Sequence, residues 1–82
     1  MDKNEAYEVV RSYLMEQFDV PGDKISLEAN LFEELELDSI DALDMVGLLE
    51  SRLGVQVDED ELKRIRKVAD VVDYVVRHAP AA

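Results

Sequence analysis

Four residues in the middle of the chain, Asp38-Ser39-Ile40-Asp41, hold the side chains best placed for chemistry. The serine stands between carboxylates and ahead of an apolar-periodic run that ends at Leu53, with Gly54 just beyond. Those are the start and stop signals of a helix. Asp38 suits the N-cap, where its carboxylate accepts from free backbone N–H groups. Asp41 adds negative charge to the first turn, where the helix dipole favours it. Ser39 then takes the first helical position with its hydroxyl free and directed outward. A phosphate attaches well at such a point, because unpaired N–H groups and the positive end of the dipole favour an anion. The same D-S-x-D pattern is also an ordinary capping arrangement, so these four residues do not by themselves establish a modification site.

The helix behind the serine has two unlike sides. At about 100° per residue, Ala42, Met45, Val46, Leu49 and Leu53 share one face, a normal core stripe. Ile40 and Leu43 lie on the opposite side, with Gly47 between them in projection and Asp44 and Ser51 alongside. A helix with one side in a small core has no structural need for two large aliphatics on the other. Beside a modifiable serine and within a rim of carboxylates, they read as a docking surface.

The chain that positions this helix has 82 residues, the size of one domain with a single modest core. It carries 20 Asp and Glu against 9 Lys and Arg, a formal net charge of -11. Such a surface repels a phosphate backbone or an anionic membrane and favours basic protein partners, so nucleic-acid binding is not expected. The absence of cysteine excludes disulfides, thiolate metal sites and cysteine nucleophiles. No apolar run reaches membrane-spanning length and nothing near Met1 resembles a signal peptide, which predicts a soluble cytoplasmic protein without membrane insertion.

Periodicity places three further helices. Tyr7, Val10, Leu14 and Phe18, with Ala6 and Tyr13 near the same face, predict a first helix over about 4–18, capped by Asp2 or Asn4. Val20-Pro21-Gly22-Asp23 stops it. Residues 19–37 then read as an ordered crossover anchored by Ile25, Leu27, Leu31, Phe32 and Leu35, with a short turn near Asn30 to Leu35, closing one end of a bundle. After the second helix (39–53), Val55-Gln56-Val57 is briefly extended. Asp58-Glu59-Asp60-Glu61 opens a short third helix over 59–65. This acidic run lacks the central glycine and ligand spacing of a calcium loop, and a solvated face is the better reading. Val68, Val71, Val72, Val75 and Val76 predict a fourth helix over 68–77, despite the strand preference of valine. Residues 79–82 read as a frayed tail.

No catalytic constellation emerges. His78 is expected to be a surface histidine, and carboxylate pairs arise by chance in so acidic a chain. There is no glycine-rich phosphate loop, and no metal site is expected. The chain is not expected to be an enzyme.

Over about residues 4–78 the sequence resembles the acyl carrier proteins, in their discrete form. The resemblance rests on Asp38-Ser39-Ile40 and on the approach Leu31-Phe32-Glu33-Glu34-Leu35. It extends through the exit Leu53-Gly54-Val55, the acidic third helix and Val72-Asp73-Tyr74-Val75. It implies an all-α fold, a four-helix bundle with a long first loop and a short third helix, as one acyl-carrier domain over 1–82. It also implies that Ser39 carries 4'-phosphopantetheine, added from coenzyme A by a phosphopantetheinyl transferase, whose thiol holds acyl groups as thioesters. The expected partners are acyl-processing enzymes with basic docking patches, such as synthases, reductases and acyltransferases. They would read the face bearing Asp38, Ile40, Asp41, Leu43, Asp44, Gly47 and Glu50. The chain itself is expected to be a monomer.

Several residues depart from the common pattern of the family. Glu36 stands where glycine is usual, Ile40 where leucine is commoner, and Gly47 where a larger apolar side chain is found. Ser51 and Arg52 interrupt an acidic run, and Lys67 replaces a better N-cap. These changes leave the carrier role intact and keep both housekeeping fatty-acid synthesis and a specialised lipid or polyketide pathway open. A peptidyl or aminoacyl carrier would share the fold, and an unmodified acidic helical binding protein would share the charge without needing Ser39.

Overall fold

Helices α1 (Lys3–Gln17), α2 (Ser39–Leu53), α3 (Glu59–Leu62) and α4 (Val68–His78) follow one another in the computed structural model, which describes residues 2–55 and 59–78. They form a four-helix bundle, and no strand occurs among the described residues. Residues 56–58 and the tail 79–82 lie outside the described residues. The extended reading of Gln56 and Val57, the role of Asp58 and the frayed end lie there with them.

Each long helix begins and ends for a local reason. Asp2 caps α1 by accepting from the Glu5 N–H at 2.8 Å. The helix stops where Asp19 turns into the left-handed region (φ 56°), and the Val20 N–H closes back onto the Leu14 carbonyl at 3.0 Å. An aspartate tolerates that conformation better than most residues. Gly54, at φ 69°, ends α2, its N–H donating to the Glu50 carbonyl at 3.1 Å. Lys67 supplies no cap to α4. Instead the Asp70 carboxylate reaches back to accept from the Arg66 and Lys67 N–H groups, at 2.9 and 3.0 Å.

The crossover between α1 and α2 is ordered by its own backbone. Pro21 leads into a single 3-10 turn, Gly22–Lys24, that the apolar pattern does not announce. Asn30 organises the expected turn: its side-chain oxygen accepts from the Phe32 and Glu33 N–H groups, and its carbonyl from Glu34. The loop is then tied to the start of α4. Leu31 donates to the Arg66 carbonyl (2.8 Å), Val68 to Ala29 (3.0 Å) and Ala69 to Leu27 (2.9 Å). Ile25, Ala29, Leu31, Leu35 and Leu37 are all buried in the core.

Two expectations need correction. The third helix ends at Leu62 rather than 65. Arg64 and Ile65 donate to Glu61 and Leu62, three residues back, so the chain tightens into a turn that points Ile65 at the core. The other concerns His78, which is not a simple surface histidine. It packs on Tyr74 one turn earlier, with ring centroids 4.5 Å apart, and its Nε2 pairs with Glu61 of α3. Glu61 also pairs with Arg77, so this member of the acidic run is engaged rather than merely solvated. The hydrogen bond from Arg77 holds the Glu61 carboxyl below its ordinary value. Desolvation opposes that shift and the hydrogen bond with His78 adds to it.

Candidate functional site

The site is built on the first turn of α2. Asp38, extended at φ -109°, accepts from the Asp41 N–H at 2.9 Å, and the Asp41 carboxylate accepts from the Asp38 N–H at 3.2 Å. This reciprocal pair is a capping box with aspartate in the second place, and it fixes the angle at which the chain enters the helix. Ser39 follows directly, exposed, with no hydrogen bond to its hydroxyl among the described residues. The turn before it contains Glu36 at φ 59°. The left-handed geometry that a glycine would supply is therefore kept with a glutamate, at a cost of roughly 1–2 kcal/mol.

Behind Ser39 a cavity of about 390 Å³ opens between α2 and the segment from α3 to the start of α4. Its lining is almost wholly apolar: Ala42, Val46 and Leu49 of α2, with Leu31, Leu62 and Tyr74 closing other sides. Ser39 lies on its rim. Of the stripe on α2, Met45 and Leu49 are buried, Ala42 and Val46 are half-buried because this space lies beside them, and Leu53 is half-buried at the end of the helix away from it.

On the other side of α2, Ile40 and Leu43 are 67% and 64% exposed. Asp38, Asp44, Gly47 and Glu50 are exposed around them, and Asp41 is half-buried by its capping role. Leu43 also lines the cavity, so it belongs to both the outer patch and the rim. A Cβ added at Gly47 would meet nothing within 4 Å, so no neighbour in the bundle requires a glycine there. Two cavity-lining residues were not singled out by sequence, Lys63 and Arg66. The signal was available: residues 63–67 read Lys-Arg-Ile-Arg-Lys, four of the nine basic residues in a strongly acidic chain. Among the described residues, no group of three or more His, Cys, Asp or Glu could hold a metal ion.

The geometry therefore sets a serine, free at a helix start, on the rim of an apolar cavity in a small bundle. The comparisons give this chain its family. Residues 8–75 match the family described as phosphopantetheine attachment site. Acyl carrier protein 2 of Ralstonia nicotianae is 40% identical over 75 residues, 92% of this chain and 93% of that protein. The acyl carrier protein of Saccharopolyspora erythraea is 36% identical over 86 aligned positions, covering 100% of this chain and 90% of its own. The solved structure of an acyl carrier protein from Thermotoga maritima matches with a TM-score of 0.81 at 27% identity, over 95% of this chain and 91% of that one. The chain belongs to the acyl carrier proteins of the phosphopantetheine-attachment family. It carries acyl intermediates of fatty-acid or polyketide synthesis on covalently attached 4'-phosphopantetheine, and works with a phosphopantetheinyl transferase and synthesis enzymes. Proteins of this kind are carriers rather than catalysts. Among the described residues no helix is long and apolar enough to cross a membrane.

Proposed function

We propose that Ser39 is the attachment residue, and that residues 1–82 act as a single monomeric carrier domain of the cytoplasm with no catalytic activity of its own. The observation that carries this reading is the free hydroxyl of Ser39 at the α2 N-terminus, on the rim of the apolar cavity. Bound there, the group supplies a thiol whose thioester activates an acyl carbonyl and acidifies the adjacent carbon. The residues of the chain do the rest. The capping box holds Ser39 at a fixed angle, and the first-turn N–H groups and helix dipole favour the negative charge beside it. Ala42, Val46, Leu49 and Leu62 offer an acyl chain an apolar space, where each buried methylene favours sheltering by about 0.8 kcal/mol.

Partner enzymes read the outer side of α2 in this proposal. Ile40 and Leu43 are the apolar anchors, within the charged rim of Asp38, Asp41, Asp44 and Glu50, and Gly47 leaves room for close approach. Basic patches on synthases, reductases and acyltransferases would be drawn in electrostatically. The test is modification in vitro with coenzyme A and a broad-specificity phosphopantetheinyl transferase, followed by intact mass. The chain should gain one phosphopantetheine and Ser39→Ala none. Addition at Ser12, Ser26 or Ser51, or no addition with several transferases, would overturn the assignment and favour an unmodified acidic binder.

A further inference from the structure

The described lining of the cavity includes two charged residues, Lys63 and Arg66, and no carboxylate. On the α2 side, Glu36, Asp38, Asp41 and Asp44 surround Ser39 in sequence, and the capping box keeps two of these carboxylates at the helix start. On the facing side, Lys63 and Arg66 line the same cavity as Ser39. The backbone sets Arg66 at the Ser39 end: its carbonyl accepts from the Leu31 N–H, and the Leu31 carbonyl accepts from Leu37, two residues before Ser39. Neither cation is committed to a carboxylate among the described residues. Arg66 Nη1 donates only to the Lys63 and Ile65 carbonyls, which steadies the guanidinium on its own turn. Both residues are exposed, so their stems can cover apolar wall while their charged heads stay at the rim. Lys67 differs, since it pairs with Glu28 at 3.2 Å.

A monoanionic phosphodiester on Ser39 would stand at the start of α2, where the dipole favours it, and would be attracted across the cavity mouth by the two cations in the lining. We infer that Lys63 and Arg66 form a clip for that phosphodiester, folding the prosthetic arm over the cavity toward the turn between α3 and α4. An arginine that presents several N–H donors in a fixed plane suits a phosphate diester, and the lysine adds a mobile point charge. This inference rests on Ser39 as the attachment residue, and it goes further by giving a role to the basic run that the docking face leaves unused. Arg64 belongs to the same run but does not line the cavity, which makes it the natural control.

The experiment compares unmodified and phosphopantetheinylated forms of the full chain, for the parent, Lys63→Gln, Arg66→Gln, the double variant and Arg64→Gln. Intact mass first establishes loading, and absence of any mass gain would take the clip down together with the Ser39 assignment. Given loading, modification should raise the melting temperature of the parent by about 4–8 °C at low salt. That gain should disappear in the double variant and at high ionic strength, where such pairing is screened. The phosphorus-31 resonance should be broad and shifted in the parent, and should move to the position of a free diester in the double variant. Arg64→Gln should behave as the parent. Because each variant is compared with its own unmodified form, a general loss of stability cancels. If modification leaves the melting temperature unchanged or lowers it, or if Arg64→Gln abolishes the gain as fully as the double variant, then only the overall charge matters and there is no clip.

Discussion

Ala6, Val10 and Leu14 of α1 and Val68, Val72 and Val75 of α4 are closed to solvent, whereas α2 closes only Met45 and Leu49 and leaves a cavity between itself and α3. Mean hydropathy is no lower in α2 than in α1 or α4, so a shortage of apolar residues does not explain the difference. What separates them is that α1 and α4 pack directly on each other, while α2 faces a space as well as a core. In an 82-residue domain the burial that keeps the chain folded is limited. Concentrating it in one half leaves the other half free to hold a guest.

The largest effect that tests this division is a paired truncation. Leu14→Ala should cost about 3–5 kcal/mol, because its fully packed surroundings cannot collapse without loss. Leu49→Ala should cost about 2–3 kcal/mol, since one side of Leu49 already borders the cavity and fewer contacts are lost. Urea midpoints of the two variants check the order, and a more damaging Leu49→Ala would mean that the second half is packed as tightly as the first. A smaller effect of opposite sign is expected at Gly47→Ala. That position is helical, exposed and uncrowded, so the change should stabilise by about 0.5–1 kcal/mol. A loss of stability there would show that the glycine serves the bundle after all.

Leu43→Ala sharpens the contrast within α2 itself. Stability should move by about 0.5 kcal/mol or less, while the rate of modification by a transferase should fall roughly fivefold, as for loss of an apolar anchor worth about 1 kcal/mol. Unfolding comparable to that of Leu49→Ala would assign Leu43 to the core. The least effect is expected at Glu61→Gln, which cuts the ion pairs joining α3 to α4. The Glu61 pKa is lowered from 4.5, so the contribution of the pairing is complete above that pH and is lost as pH falls through the lower folded value. Urea midpoints followed from pH 7 to acid should show a small deficit for Glu61→Gln at pH 7, closing below pH 4.5. A constant difference across the range would assign the effect to packing.

Much of this arrangement is legible in the sequence because α1, α2 and α4 are long enough for their periodicity to state which side is buried. Ile40 and Leu43 stand out for the same reason, as large aliphatics on the wrong side of a complete stripe. Features settled by distant neighbours are not legible. Glu36 holds a left-handed turn that its residue type does not suggest, kept by the buried Leu35 and Leu37 on either side. The short α3 follows from i to i+3 hydrogen bonds, and the position of His78 depends on Glu61, seventeen residues away. The cavity is a relation among four segments, so no single stretch announces it. The charges of its cationic wall are plain in the sequence, but not what they face.

The backbone ties between residues 27–31 and 66–69 have a consequence for motion. Because Leu31 and Arg66 are held together, α2 and α3 form an excursion of the chain whose two ends are pinned at one place. Opening that excursion would uncover Met45 and Leu49 but break none of the pinning hydrogen bonds, so it would be a smaller event than loss of the whole fold. Opening it need not approach the free energy of global unfolding. A guest lodged between α2 and α3 would in that case exchange without the rest of the frame coming apart.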